Sequence, residues 1–431
     1  MRRILADEQL STGGRAVPSA SSGTPPSQRP AEPLDPAAVD EDVAAAVGRV
    51  LSQELRERVA AAAAIDAVFA RDVAERVARF TLDGGKRTRS QFLWWGLRAC
   101  GGGSPEETHA ALRVAAAVEL LQTCALVHDD VMDGSAVRRG RPAVHRDMDG
   151  QYGFPRGSGA AEPFGRAAAI LVGDLALAWA DDTVADTALP AGARCRARGL
   201  WRSMRTEMVA GQYLDLHGQA TGSWSAARAV RTACLKSALY SVERPLGLGA
   251  ALAGADEATT QALCAAGRQA GIAFQLRDDL HGAFGDPACT GKPSGEDIRD
   301  GKPNYLLAVA RGRAEAAGDQ RATAFLDAAL GDPRLSESDL ARVRDLLVAT
   351  GARAAVEHRI GELADDSARH LASAARLVPA ARTHLLGLFR RAAGVRRDAP
   401  CSHSCRGHAA GGGPTVTDLL EATAGRGGEP R

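Results

Sequence analysis

The sequence predicts an all-α fold, and three features carry that expectation. Apolar residues recur at helical spacing over roughly forty residues from Glu41, with no strand-like alternation. Two further apolar helices, around 119–133 and 270–282, each end in paired aspartates. From the second pair to about residue 397 the chain is rich in Ala, Arg and Leu in the same helical pattern. Glycine, serine and proline gather instead at breaks such as Gly84-Gly85 and residues 101–109.

Residues 1–40 carry Pro, Ser, Gly and Ala with little apolar periodicity and are expected to be a disordered extension. A single helical domain is expected over 41–397, and 398–431 returns to low complexity. That tail holds Cys401, His403, Cys405 and His408. Their spacing is tighter than structural zinc sites use, so the tail is read as flexible. Residues 146–165 are read as a long Gly/Pro loop.

Composition removes several function classes. Net charge is +1 and aromatics are 4%, so neither a global field nor stacking surfaces favour nucleic acid. No uninterrupted apolar run reaches 18 residues, so no membrane span is expected. No apolar signal segment follows the basic start, and eight scattered cysteines fit reduced thiols, which points to the cytoplasm.

The most informative stretch is Glu119–Gly140, ELLQTCALVHDDVMDGSAVRRG. Asp129 and Asp133 stand one helical turn apart and share a face. Two such carboxylates repel unless a cation lies between them. Oxygen donors with room for water suit Mg²⁺. Arg138 and Arg139 follow, and paired guanidinium forks suit phosphate. Gln122 lies two turns before Asp129 on the same face. A second set comes later in GIAFQLRDDLHG, where Gln275 and Asp279 are one turn apart and Asp278 precedes Asp279.

Lysine usage sharpens the picture. The chain holds 49 arginines and only four lysines: Lys86, Lys236, Lys292 and Lys302. Such bias leaves lysine mainly where a compact ammonium is hard to replace. Lys86 stands with Arg87 and Arg89 at a helix start after Gly84-Gly85, an arrangement that suits an anion. Lys236 and Ser237 sit inside an apolar helix, after the polar stripe Glu207, Gly211, Asp215 with Gln212 beside it. A buried lysine needs an anion or carboxylate. Lys292 and Lys302 lie in two GKP tripeptides.

Taken together, GGKRTR (84–89), LLQTCALVHDDVMDGSAVRRGRPAVH (120–145), ILVGD (170–174), GQYLD (211–215), LKS (235–237), FQLRDDLHGAFGD (274–286), TGK (290–292) and DGK (300–302) resemble the polyprenyl (isoprenyl) diphosphate synthase family, over about residues 41–395. The resemblance implies one large bundle of long, mostly antiparallel helices around a deep central cavity. It implies Mg²⁺ ions held by Asp129, Asp133 and Asp278, with Asp130 and Asp279 supporting. Arg138, Lys236, Lys292 and Lys302 match groups that hold an allylic diphosphate. Lys86, Arg89, Gln122 and Arg139 match an isopentenyl diphosphate site, and Ser237 and Gln275 match polar residues beside the reacting carbons. A homodimer is implied as well. The implied reaction is head-to-tail condensation of isopentenyl diphosphate with an allylic diphosphate by ionisation, condensation and elimination.

The sequence departs from the family pattern at a few positions. Gly282 replaces the last aspartate of the second motif, for which Asp286 is a candidate substitute. Ser90 replaces a proline, Ser237 a threonine, and Pro303-Asn304 a basic residue and a threonine. For product length, Cys124 and Ala125 stand five and four residues before Asp129. Both are small where farnesyl-making members carry aromatics. Leu121 and Val118, one turn deeper, form the expected floor. A helical turn rises about 5.4 Å, close to one isoprene unit, so geranylgeranyl diphosphate is the expected product. Farnesyl or longer polyprenyl diphosphates are the alternatives. A class I terpene cyclase needs an Asn/Asp–Ser/Thr–Glu motif, and Asn304, the only asparagine, has none around it. A non-catalytic regulatory subunit is disfavoured by the intact Asp129, Asp130 and Asp133.

Overall fold

The computed structural model describes residues 35–152, 161–222, 225–285 and 294–394. Helices dominate them. In order they are α1 (Pro36–Glu41), α2 (Val43–Ile65), a short turn Ala67–Phe69 leading through a π-helical segment Ala70–Ala74 into α3 (Glu75–Leu82), α4 (Thr88–Ala99) and α5 (Pro105–Met132). A two-stranded hairpin, β1 (Val137–Arg138) and β2 (Arg141–Pro142), precedes α6 (Val144–Gln151) and α7 (Ala161–Ala185). α8 (Arg194–Thr221) and α9 (Ala226–Ala233) run into a second π-helical segment, Cys234–Glu243, and α10 (Arg244–Leu252). α11 (Glu257–Phe284), α12 (Glu296–Arg299), α13 (Tyr305–Ala316), α14 (Gln320–Ala329), α15 (Glu337–Ala349), α16 (Ala352–Ser373) and α17 (Pro379–Ala393) complete the chain.

Two boundaries differ from the sequence expectation. Helix already runs over Pro36–Glu41, ahead of the start expected near Glu41. Asp35 caps α1 by accepting from Ala37 N, proline opens the helix, and Val39 packs into the core at 1% exposure. The loop expected over 146–165 is partly helical. Val144, His145 and Met148 are buried on one side of α6, so packing on α7 holds the helix despite its polar composition. The tail with its Cys/His cluster lies outside the described residues.

Local chemistry explains the central helix. Ser104 and Glu107 form a reciprocal capping box at the start of α5, with Pro105 in the first turn. From Ala110 to Leu121 the helix is mostly buried, with Leu120 and Leu121 at 0% exposure. This helix is long and apolar enough to cross a membrane, but 78% of its most apolar window is buried inside the protein, as in a core helix. α5 packs most extensively on α7, α11 on α16, and α10 on α4. Two apolar cores result, one centred on α5 and the other on α11 and α13 to α16.

Candidate active site

The end of α5 gathers the first set of charges. Asp129 Oδ1 accepts from Gln212 Nε2 at 3.0 Å and from Lys236 Nζ at 3.2 Å, and Arg138 Nη2 approaches Asp129 Oδ2 at 3.3 Å. Asp130 is wholly buried and accepts from Arg138 Nε at 2.8 Å and Nη2 at 2.5 Å. Asp133 Oδ2 accepts from Lys302 Nζ at 2.6 Å. Its other oxygen, Oδ1, is buried and has no hydrogen-bond partner among the described residues.

Electrostatics follows from this arrangement. Burial alone would raise the Asp129 carboxyl, but Lys236, Arg138 and Lys302 outweigh it and hold the group below its usual range. Burial alone would lower the Lys236 ammonium, yet Asp129 and Asp215 reverse the sign and raise it. Lys302 behaves likewise, raised by Asp133 against its own burial. Both lysines therefore stay charged.

Backbone geometry sends the two arginines apart. Arg139 and Gly140 both adopt positive φ, 55° and 72°, which is the turn that lets strands as short as β1 and β2 pair. Arg138 turns to the aspartates. Arg139 lies against Gly84, where a Cβ would come within 2.0 Å of its guanidinium, stacks over Phe80 at 5.1 Å and donates to Phe80 O at 3.2 Å. Lys86 is exposed on the same turn. Arg89 is directed at Ser241 Oγ, 2.8 Å away, and over the Tyr240 ring at 4.7 Å. Gln122 has a buried amide oxygen without a partner among the described residues. The third cation of the turn does something else. Arg87, in the left-handed region, is buried and pairs with Glu119 at 3.0 Å, while Ser90 Oγ donates to the other Glu119 oxygen at 2.7 Å. Ser90 and Arg87 together pin the turn to α5.

The second π-helical segment connects the two aspartate motifs. Lys236 Nζ reaches Asp129 on one side and donates to Asp215 Oδ2 at 2.6 Å. Its neighbour Ser237 donates to Gln275 Oε1 at 2.5 Å, and Gln275 Nε2 donates to Asp279 Oδ1 at 3.0 Å. Gly211 makes this possible: a Cβ there would lie 2.4 Å from Lys236 N, so only glycine lets α8 approach closely enough. Asp279 is buried, and burial pushes its carboxyl up to about 8, with Asp297 and Asp278 adding to the effect while the Gln275 and Tyr305 donors oppose it. Tyr305 opens α13, which Asn304 caps by accepting from Leu307 N at 3.0 Å. Phe274, one turn before Asp278, and Met132, beside Asp133, are 42% and 46% exposed and give the site an apolar margin.

The two aspartate motifs thus meet through Lys236 and Ser237. Lys302 adds a second bridge, 2.6 Å from Asp133 and 3.9 Å from both Asp297 of α12 and Asp300 just after it. Lys292 and Asp286 lie outside the described residues. Of the product-length residues, Leu121 and Cys124 are packed into the core at 0% and 3% exposure, as is Val118, and only Ala125 remains partly exposed. A surface pocket of about 370 Å³ lined by Glu315, Gln320, Thr323 and Asp327 contains none of the motif residues. A cavity of only about 10 Å³ lies beside Asp215. Neither of these is the deep shaft expected below Asp129.

The donor set fits a hard divalent cation. It consists of carboxylate oxygens, one of them, Asp133 Oδ1, buried and without a partner among the described residues. Among the described residues, however, no three carboxylate, imidazole or thiolate groups converge as a cage, and the lysines take up the aspartates' charge instead. Gln212 and Asp215 belong to the site, although the sequence placed them only on a polar stripe. Their i, i+3 spacing in GQYLD was the available signal.

An all-helical protein with two aspartate motifs interleaved with lysine and arginine is of the class that handles diphosphates through cations. The comparisons with known proteins agree. A match to the family described as polyprenyl synthetase spans residues 71–347, and the chain belongs to that family and is a prenyltransferase. A geranylfarnesyl diphosphate synthase of Aeropyrum pernix is 31% identical over 71% of this chain and 88% of its own length. A geranylgeranyl diphosphate synthase of Mycobacterium tuberculosis is 34% identical over 62% of this chain and 69% of its own. The solved geranylgeranyl pyrophosphate synthase of Corynebacterium glutamicum, complexed with isoprenyl diphosphate and magnesium, superposes with a TM-score of 0.76 at 39% identity, over 81% of this chain and 98% of that one.

Proposed function

We propose that this trans-prenyltransferase condenses isopentenyl diphosphate with an allylic diphosphate and makes geranylgeranyl diphosphate. The observation that carries the proposal is the Asp129–Lys236/Ser237–Gln275–Asp279 chain of contacts, which brings two carboxylate motifs and their cations to one place. Asp129, Asp133 and Asp278 would hold Mg²⁺, with Asp130 and Asp279 behind them. When bound, the ions draw off charge from the departing diphosphate.

The chain's own residues supply the remainder. Lys236, Lys302 and Arg138 let go of their carboxylates to grip the allylic diphosphate, and Lys292 is assigned to the same group by the family pattern. As the allylic C–O bond breaks, its electron pair leaves with the diphosphate, and these fixed cations stabilise the charge that develops. Lys86, Arg89, Gln122 and Arg139 are assigned by the family pattern to orient isopentenyl diphosphate. Its double bond attacks the allylic carbon, and a proton then passes to the released diphosphate. The hydroxyl of Ser237 and amide of Gln275 line the reacting carbons.

Farnesyl and longer products remain the alternatives, decided by what Ala125 leaves open. A homodimer in the cytoplasm belongs to the same proposal. Free thiols at Cys100, Cys124, Cys195, Cys234 and Cys264 support a reducing compartment. Incubating the purified chain with Mg²⁺, isopentenyl diphosphate and C5, C10 or C15 allylic partners tests the function. A C20 product supports it. A cyclic hydrocarbon without isopentenyl diphosphate, or no product from any partner, would refute it.

A further inference from the structure

The cations of the site are held in two different ways. Arg138, Lys236 and Lys302 each rest on carboxylates: Arg138 on Asp129 and Asp130, Lys236 on Asp129 and Asp215, Lys302 on Asp133. Arg89 and Arg139 do not. Arg89 lies over the Tyr240 ring at 4.7 Å and donates to Ser241 Oγ at 2.8 Å. Arg139 lies over the Phe80 ring at 5.1 Å and donates to Phe80 O at 3.2 Å. Each guanidinium thus has one aromatic face and one neutral oxygen. Neither pairs with a carboxylate among the described residues.

A neutral cradle orients a guanidinium without spending its charge. Here that charge stays uncompensated. Glu119, which acts on Arg139, is already engaged by Arg87 and Ser90. Burial, followed by the charges of Arg87, Arg138 and Arg89, draws the Arg139 guanidinium below its ordinary value in spite of Glu119. Arg89 Nε is buried and has no acceptor among the described residues. Tyr240 is 2% exposed, and its hydroxyl likewise has no partner among them, so the ring and not the hydroxyl accounts for its place. An anion that reaches Arg89 breaks no ion pair, whereas one that reaches Lys236 or Lys302 must.

We infer that Tyr240, Ser241 and Phe80 are positioning residues for isopentenyl diphosphate, which present Arg89 and Arg139 to it as pre-aimed, unneutralised charges. The identity of the anion rests on the functional reading above. Tyr240 and Ser241 stand on the same π-helical segment as Lys236 and Ser237, so one segment sets the cations of both diphosphates.

The test removes the cradle and leaves the arginines. Binding of isopentenyl diphosphate to the full chain is followed by titration calorimetry, with KM for both diphosphates measured alongside. Tyr240→Leu should weaken isopentenyl diphosphate binding about tenfold, and Ser241→Ala and Phe80→Leu about fivefold each, while KM for the allylic diphosphate moves less than about twofold. Tyr240→Phe, which returns the ring, should restore the affinity and raise Tm, because it removes an unpaired buried hydroxyl. In an Arg89→Met background, Tyr240→Leu and Ser241→Ala should each add less than about twofold, since the group they hold is gone. Unchanged affinity in both Tyr240→Leu and Ser241→Ala, a Tyr240→Phe variant as weak as Tyr240→Leu, an equal rise in the allylic KM, or full additivity with Arg89→Met would overturn the inference. If the unaltered chain binds isopentenyl diphosphate but forms no prenyl product from any allylic partner, the functional reading fails and the cradle stands.

Discussion

At the scale of single residues, similar side chains have been given opposite tasks by burial. Arg87 and Arg89 are two positions apart in one basic cluster. Arg87 is 8% exposed and bound to buried Glu119, whereas Arg89 faces Tyr240 and Ser241. Removing Arg87 leaves a carboxylate with no counter-charge, so Arg87→Met should cost roughly 3–5 kcal/mol in urea unfolding. Replacing Glu119 as well, by Gln, should recover part of the loss. Lys302, on the proposed reading, also grips the diphosphate. Lys302→Met should lower kcat by about 100-fold or more, beyond any loss of stability from leaving buried Asp133 without its counter-charge. Wild-type turnover in that variant would remove Lys302 from the site. The residue types around Asp129 were legible from the scarcity of lysine and the aspartate spacing. The task of Arg87 was not, because a GGKR turn looks the same whether its arginine faces inward or outward.

At the scale of elements, helices with strong apolar periodicity were readable, and α5 matches its expected course. What escaped were features with no compositional mark. The π-helical segment Cys234–Glu243 is one. Its altered register turns Lys236 and Ser237 to different aspartate motifs, yet its sequence reads as an ordinary apolar helix. α6 is another, held by tertiary packing against α7. Along α5 only Ala125 keeps exposure among the proposed length-setting positions, so Ala125→Phe should shorten the product by at least one isoprene unit on chromatography. Unchanged length would place the stop elsewhere. The first π-helical segment is tied to α6 through Asp72, which accepts from Arg71, Gln151 and Tyr152. The Arg71 guanidinium holds the Asp72 carboxyl down to about 2. A depressed folded value contributes stability above the unfolded range, lost as pH falls from about 4 towards about 2. Asp72→Asn should therefore lower Tm at pH 7, and its deficit should narrow at pH 3. An equal deficit at both values would show that packing alone is at stake.

At the scale of the whole molecule, the account depends on two helices from distant parts of the chain working as one. The first half of α11 shares the apolar core of α5 through Leu263, Ala266 and Ala270, its second half packs in the other core, and the charged network joins the ends of the two helices. Lys236 and Lys302 are paired with the aspartates. The proposed function has those lysines transfer to the diphosphate when substrate and ions bind. The direct measurement is a crystal structure with Mn²⁺ and a non-ionisable allylic thiodiphosphate, read by anomalous scattering. The account predicts manganese between the α5 aspartates, Asp129 and Asp133, and Asp278 of α11, with Lys236 and Lys302 now on the diphosphate. Manganese confined to one motif, or a diphosphate bound away from both, would contradict it.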